Sequence, residues 1–392
     1  MAILMHKRKP LEGYKVIDFS AVFAGPICSR FLLDCGADVI KVETPFNGDL
    51  TRGVDGISRV FAHFNAGKRS IAIDLKSLEG QTVAKRLISD ADIVIENFRP
   101  GIMAKFGLDY ESLKQQRPDL IYCSISGFGQ SGPQVNRAAY APIVHAASGF
   151  DSVQTNAQGG DENRPPNWDI MVADILTGTY AFGAIQTALL GRERNGTGEH
   201  IDVSMMESMM TLIPAHIQAA QMEEPAVIGR FHPVKVKDGF VMVCVVSNKN
   251  LECLAAALNR PDLLTDPRFV RGPRSANFNQ LAVEVERWSA SLTAKECEEA
   301  LNIAGVPCSG YQKVEELFSH PQVVERNSFT HLSNDQLGEF LIQNMPIKFS
   351  NSENSASSWV AKLGEHTDEV LSERLNLTQS EIGELRTSGA VA

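Results

Sequence analysis

Lys15-Val-Ile-Asp-Phe-Ser-Ala-Val-Phe-Ala-Gly-Pro-Ile-Cys-Ser-Arg-Phe-Leu-Leu-Asp-Cys-Gly-Ala-Asp-Val-Ile-Lys-Val-Glu43 sets two short apolar runs on either side of a helical pattern. Lys15–Phe19 reads as a strand, Gly25-Pro26 as a turn, the residues up to Asp34 as a helix, and Ala37–Glu43 as a second strand. The alternation continues outward. Ser70-Ile-Ala-Ile-Asp74 is a third strand, followed by a helix opening near Ser77, and Ala91–Glu96 and Leu120–Ser126 are two more strands. Strand and helix in strict alternation predict an α/β domain with a largely parallel sheet, in which loops at the carboxyl ends of the strands build the ligand site.

Beyond residue 168 the pattern turns helical, with a short strand at His200–Val203 and a Met-rich run from Met205 to Met222 that reads as core filler. From Gly229 the texture changes. Lys235–Val246 reads as a hairpin around Asp238-Gly239, and helical segments follow at 249–259, 277–292 and 294–304. The expected organisation is a discontinuous large domain (1–210 and 331–392), a linker (211–231) and a smaller α+β domain (232–330). Ser350–Ser358 reads as a loop, and no internal repeat is found.

A chain of 392 residues is long for one hydrophobic core. The net charge of −10 argues against nucleic acid or an anionic membrane as partner. Seven scattered cysteines without CxxC spacing predict reduced thiols and no metal site, hence a cytoplasmic setting. No apolar run is long enough to span a bilayer.

One carboxylate stands out. From Ile170 onward Asp174 is the only charged residue until Arg192, in a run whose Leu, Ala and Ile recur at helical spacing and read as a core helix. A buried carboxylate is costly unless a partner satisfies it or chemistry requires it. For an isolated Asp the structural reading comes first. Phosphate-binding cations are expected near the strand ends: Arg52, Lys68-Arg69, Arg99 and Lys105, on successive loops of one sheet edge in an acidic protein. Gly127-Phe-Gly-Gln-Ser-Gly132 matches GxGxxG, but Pro133 stands where a pyrophosphate-cradling helix should continue, so it reads as a Gly-rich turn. His145, on an apolar helical segment, reads as a satisfied core residue.

Taken together, Leu11–Ser20, Ala24-Gly-Pro26, Gly36–Glu43, Gly48-Asp-Leu-Thr-Arg52, Gly67–Lys76, Asp92–Gly101, Ser124–Gln130, Val172-Ala-Asp174, Gly196–Val203, Arg260–Leu263, Gly305–Pro307 and Gly364–Leu371 resemble the class III CoA-transferases. That family contains formyl-CoA and carnitine CoA-transferases and α-methylacyl-CoA racemase. The resemblance implies a Rossmann-like large domain, a small domain and an interlocked homodimer. It puts Asp174 on the catalytic aspartate, makes Asn97, Phe98 and Lys105 contacts of coenzyme A, and sets Ile73 beside the adenine with Lys68 and Arg69 nearby. It also implies an acyl-CoA and a small carboxylic acid as substrates.

Departures from the family refine this. Racemases carry His-Asp after the Gly-Phe-Gly loop, where this chain has Tyr140-Ala141, so CoA transfer is favoured over racemisation. Val54 and Val60 stand where oxalate enzymes have aromatic residues, which argues against oxalate. The segment Gly229–Asp238 is short and lacks a Gly-rich lid. The expected chemistry is attack of Asp174 on an acyl-CoA to give an anhydride, then an aspartyl-CoA thioester. Tyr140 would shape the pocket, and Gly25 or the Gly127–Gly132 loop would supply oxyanion N–H groups.

Overall fold

The computed structural model describes residues 9–158, 169–223 and 229–392, and the chain divides into two compact units. The larger comprises residues 1–156, 160–212 and 324–392, and the smaller 157–159 and 213–323. The small unit thus gives way at Val323, because the hairpin that follows packs with the large unit.

The large unit opens with β1 (Lys15–Asp18), α1 (Ala24–Asp34), β2 (Asp38–Glu43), α2 (Arg59–Asn65), β3 (Arg69–Ala72), α3 (Leu78–Ser89) and β4 (Ile93–Glu96). Two single-turn helices, α4 (Ile102–Lys105) and α5 (Tyr110–Leu113), lead to β5 (Ile121–Ser126). Then come α6 (Ala141–Ala147), α7 (Phe150–Gln158), α8 (Val172–Asn195), β6 (Glu199–Ser204) and α9 (Met205–Met210). The six strands form one sheet in the order β3-β2-β1-β4-β5-β6, with every pair parallel. β4 and β5 are buried along their whole length, as a sheet covered on both faces requires.

In the small unit, α10 (Pro214–Ala219) precedes the antiparallel β7 (Pro233–Lys235) and β8 (Phe240–Val243). α11 (Asn248–Ala257), α12 (Phe278–Ser289) and α13 (Ala294–Ile303) follow, and β9 (Cys308–Gly310) completes a three-stranded sheet. These elements enclose a core of their own around Leu254, Phe269, Val285 and Leu301. After α14 (Val314–Leu317) and α15 (Pro321–Glu325), β10 (Phe329–Asn334) and β11 (Gly338–Gln343) pair as a hairpin whose Leu332 and Ile342 pack with Phe61 of α2. The carboxyl-terminal α16 (Thr367–Leu375) and α17 (Gln379–Thr387) place Val370, Leu371 and Ile382 in the core beneath β3, and Val391 bridges Ile73.

Three sequence expectations change. Gly25-Pro26 is not a turn but the first turn of α1, where the missing proline N–H has no intrahelical partner to lose. The Met-rich run is core only in part: Met205 and Met209 are buried, while Met210 and Met222 are exposed. The apolar helix α8 buries one stripe (Ala173, Thr177, Ala181, Ile185, Leu189) and leaves Ile175, Tyr180 and Leu190 exposed in the single chain. Its packing on α1 depends on Gly178, where an added Cβ would overlap Ile27 and the Ala24 carbonyl.

Charged side chains are buried at the strand ends in pairs: Lys68 with Asp18 (3.1 Å), Lys41 with Asp49 (3.0 Å) and Arg52 with Glu43 (2.6 Å). Burial alone would raise the Asp18 pKa, but Lys68 and Lys41 outweigh it and hold the carboxyl at about 2. Glu96 has no such cation. Burial pushes it up to about 7, against hydrogen bonds from Ser124 and the Phe98 N–H.

Two outcomes are expected. Gly178→Ala should destabilise by about 1–3 kcal/mol in urea unfolding despite the better helix propensity of alanine. Gly383→Ala, on α17 with open space around it, should stabilise by about 0.5–1 kcal/mol; equal effects would contradict the close approach of α8 to α1. Glu96 supplies the second. Its folded pKa lies above the ordinary 4.5, so its own contribution to stability is fully present below pH 4.5 and is lost as pH rises through about 7. Between pH 5 and pH 8 the unfolding free energy of Glu96→Gln should gain roughly 2–3 kcal/mol on the wild type; a constant difference would mean that Glu96 is ionised throughout.

Candidate functional site

The strand order reverses direction between β1 and β4, and a crevice opens at their carboxyl ends. The loop from β1 to α1, residues 19–23, crosses this crevice, and each of Ser20, Ala21 and Val22 is held by a side chain from elsewhere in the sheet. Asp18 accepts the Ser20 N–H, and Lys41 donates to the Ser20 carbonyl at 2.8 Å. The Asn97 amide accepts the Ala21 N–H and donates to the Ala21 carbonyl, both at 2.8 Å. Asp49 accepts the Val22 N–H at 3.1 Å. Val22 stands at φ 70°, a left-handed conformation that costs a β-branched residue energy and persists only where its surroundings impose it. Gly25 is required just beyond, since a Cβ there would overlap the Ser20 side chain.

This clamped loop fixes the start of α1, whose first N–H, that of Ala24, lies close enough to Asp174 to lower its pKa. Asp174 lies in the first turn of α8, so its carboxylate meets the amino-terminal ends of two helices, a setting that favours negative charge. Burial nevertheless dominates and pushes its pKa up to about 6, with the Ala24 N–H offsetting only part of that rise. Unlike Asp18, Glu43 and Asp49, it has no cation beside it among the described residues. The result is a desolvated, weakly stabilised carboxylate, more basic than an ordinary one yet still largely ionised at neutral pH.

A cleft of about 200 Å³ opens on the same strand ends. Ile73 and Phe98 line it, with Phe19, Phe106, Lys41 and Lys76. Asn97 adjoins it, but both polar atoms of its side chain are engaged with Ala21. Lys105 and Arg99 are exposed on the turn beyond β4. The other cations sit elsewhere. Lys68 is buried, its ammonium shared among Asp18, Asn65 and the Pro26 carbonyl. Arg69 pairs with Asp38, Glu369 and Glu373, and Arg52 with Glu43. Acids on neighbouring elements have taken these three charges, which correct the expectation of a row of free phosphate ligands. Tyr140, the N-cap of α6, is 65% exposed in the single chain. The Gly127–Gly132 segment is a turn with two glycines at positive φ and Asp202 accepting the Gln130 N–H, followed by no helix until α6.

Sequence reasoning missed Lys76, Val22 and the contact made by His145. Lys76 carried a signal, a cation two residues past a strand; the other two did not. Among the described residues no three potential ligands converge on a metal position, and no helix is long and apolar enough to cross a membrane.

The comparisons with known proteins agree with one another. Residues 11–367 match the model of CoA-transferase family III. The succinate–glutarate CoA-transferase of Agrobacterium fabrum is 35% identical, over 95% of this chain and 98% of that protein. Human succinyl-CoA:glutarate CoA-transferase is 31% identical over 99% and 91%. The crystal structure of a CAIB/BAIF family protein from Brucella suis superposes with a TM-score of 0.78 at 34% identity, covering 94% of this chain and all of that one. With a parallel α/β sheet, a crevice at its switch point and end-to-end similarity to named transferases, the chain belongs to CoA-transferase family III and is an enzyme of that class.

Proposed function

We propose that the enzyme moves CoA from an acyl-CoA to a carboxylic acid acceptor, with Asp174 as covalent nucleophile. The observation that carries this is the state of Asp174: set in the first turn of an apolar helix, with no cation beside it among the described residues, and its pKa pushed up by desolvation to about 6. Asp174 attacks the thioester carbonyl of the donor, forming an aspartyl mixed anhydride and releasing CoA thiolate. The thiolate attacks the aspartyl carbonyl, giving an aspartyl-CoA thioester and the donor's free acid. The acceptor carboxylate then reverses both steps, so bonds of similar energy are exchanged. The Ala24 N–H is placed to donate to the oxygen on which charge develops at the aspartyl carbonyl, with the Gly25 N–H next in the same helix end. Tyr140 shapes the pocket.

Coenzyme A enters as cosubstrate. Its nucleotide fits the cleft lined by Ile73 and Phe98, with Asn97 alongside, and Lys76, Arg99 and Lys105 are the exposed cations available to phosphates. The two transferases compared above carry names pairing succinate or succinyl-CoA with glutarate, which supports succinyl-CoA as donor and a dicarboxylate as acceptor. Racemisation lacks support: Tyr140 occupies the position of the racemase histidine, and His145 has its Nε2 bound by the Ala173 N–H.

The exposed apolar side chains of the large unit, Phe46, Leu50, Val54 and Tyr140 with the open face of α8, support an obligate interlocked homodimer that covers them. Such a dimer buries far more than a standard interface of roughly 1,600 Å². Sedimentation at micromolar concentration should show a dimer and no folded monomer; a monodisperse monomer would refute it.

For the mechanism, enzyme incubated with succinyl-CoA and no acceptor, then trapped with hydroxylamine, should carry the modification on the peptide containing Asp174. Asp174→Ala and Asp174→Asn should each lose several orders of magnitude in turnover, whereas Tyr140→Phe removes at most a hydrogen bond of about 0.5–1.5 kcal/mol. A label on another peptide, or substantial activity in Asp174→Ala, would sink the mechanism. A panel of dicarboxylates and hydroxy acids offered with succinyl-CoA or acetyl-CoA then identifies the acids.

A further inference from the structure

The amino-terminal end of α8 is capped from outside the helix. Its N-cap, Met171, contributes no side-chain hydrogen bond. Instead the Ala173 N–H, one residue before Asp174, donates to Nε2 of His145 on α6 at 3.1 Å. An acceptor Nε2 places the ring proton on Nδ1, so the imidazole is neutral. The ring is buried to 1% exposure against Phe150, at 5.8 Å between centroids, and Nδ1 has no partner among the described residues. A buried polar atom left unpaired is a cost. What the ring gains in exchange is the single bond at Nε2.

Three other helices of this chain close their first turns with their own side chains. In α13 and α17 the acid three residues after the N-cap, Glu296 and Glu381, turns back and accepts the N–H of Thr293 or Thr378. Asn250 does the same for Ser247 in α11. Asp174 occupies the equivalent position of α8, and a carboxylate there has the same opportunity to fold onto its own helix end. Among the described residues α8 has no such cap of its own at Met171, and the acceptor that closes its first turn is His145.

We propose that His145 is a positioning residue for Asp174: it accepts the Ala173 N–H, caps α8 from α6, and so fixes the helix turn from which the carboxylate faces the start of α1. The role rests on Asp174 being the nucleophile. Without the acceptor, the first turn of α8 has no side-chain cap among the described residues and frays, and the carboxylate loses its fixed place. No proton transfer by the imidazole is required.

The test compares two amides of different reach. In His145→Gln the side-chain oxygen can take the place of Nε2. In His145→Asn it stops near the position of Nδ1, one bond short of Ala173. Rapid-quench measurement of Asp174 acylation by succinyl-CoA, with the KM for succinyl-CoA measured alongside, separates positioning from binding. His145→Asn should slow acylation at least tenfold with KM unchanged within twofold, and His145→Gln should recover to within threefold of wild type. Wild-type rates in His145→Asn, or equal slowing in both variants, would overturn the proposal. Wild-type enzyme labelled on a different peptide would instead refute the assignment of Asp174. If the Asn variant does not fold, His145→Phe, which keeps the packed ring without an acceptor, takes its place in the comparison with Gln.

Discussion

The structure depends on a set of opposite charges buried where the strands end. Asp18, at the carboxyl end of β1, is fully enclosed, and its charge survives only because the Lys68 ammonium and the Ser20 and Ser29 hydroxyls meet it. Lys41 and Asp49 stand beside it under the same constraint. Such pairs are weak contributors to net stability, because desolvation consumes most of the Coulombic gain. Their effect here is geometric. Lys41 and Asp49 use their remaining hydrogen-bonding capacity on the backbone of Ser20 and Val22, so the loop can neither slide nor relax its strained valine.

From that loop the consequence passes along α1. The helix is buried almost throughout, and Arg30 ties it to the His63 carbonyl after α2 begins and to the Gln343 carbonyl of β11. Its start therefore cannot drift from its end, and the Ala24 N–H arrives at Asp174 by rigid placement. Gly178 lets α8 approach closely enough to receive it. Preorganisation of this kind reduces what must be rearranged during reaction.

Carboxyl groups of the large unit fall on both sides of the ordinary range, and a cation alone does not decide which, since Asp34 beside Arg30 still rises to about 6. Asp18, Glu43 and Asp49 are buried, paired with cations and held below the ordinary carboxylate range. Glu96 is buried and Asp174 half-buried, neither with a cation beside it among the described residues, and they rise to about 7 and about 6. A raised pKa therefore does not by itself select the reactive group. Glu96 is turned back onto the Phe98 N–H, two residues on, whereas Asp174 is aimed across a helix–helix junction at a free helix end. Geometry makes the distinction that burial cannot.

Much of this was legible in the residues. Period-two and period-3.6 apolar patterns are local properties, so the six strands, the helices α1, α3, α6 and α8 and the hairpin at Asp238-Gly239 could be read directly, as could an isolated Asp174 in an apolar run, whereas the short α2, α4 and α5 could not. Charge pairing could not. Lys68, Arg69 and Arg52 look alike in sequence to Lys76 and Lys105, yet folding brings Asp18, 50 residues away, to the first, and Glu369 and Glu373, about 300 away, to the second. The same holds for His145, whose acceptor nitrogen meets an N–H 28 positions later, and for Val22, whose left-handed backbone is imposed by Asp49. Sequence alone determined which segments become strands and helices, because that preference is decided within a few residues. Which charges stay free, and which carboxylate is left reactive, only the tertiary structure decided, because desolvation and partner distance exist only once distant segments have met.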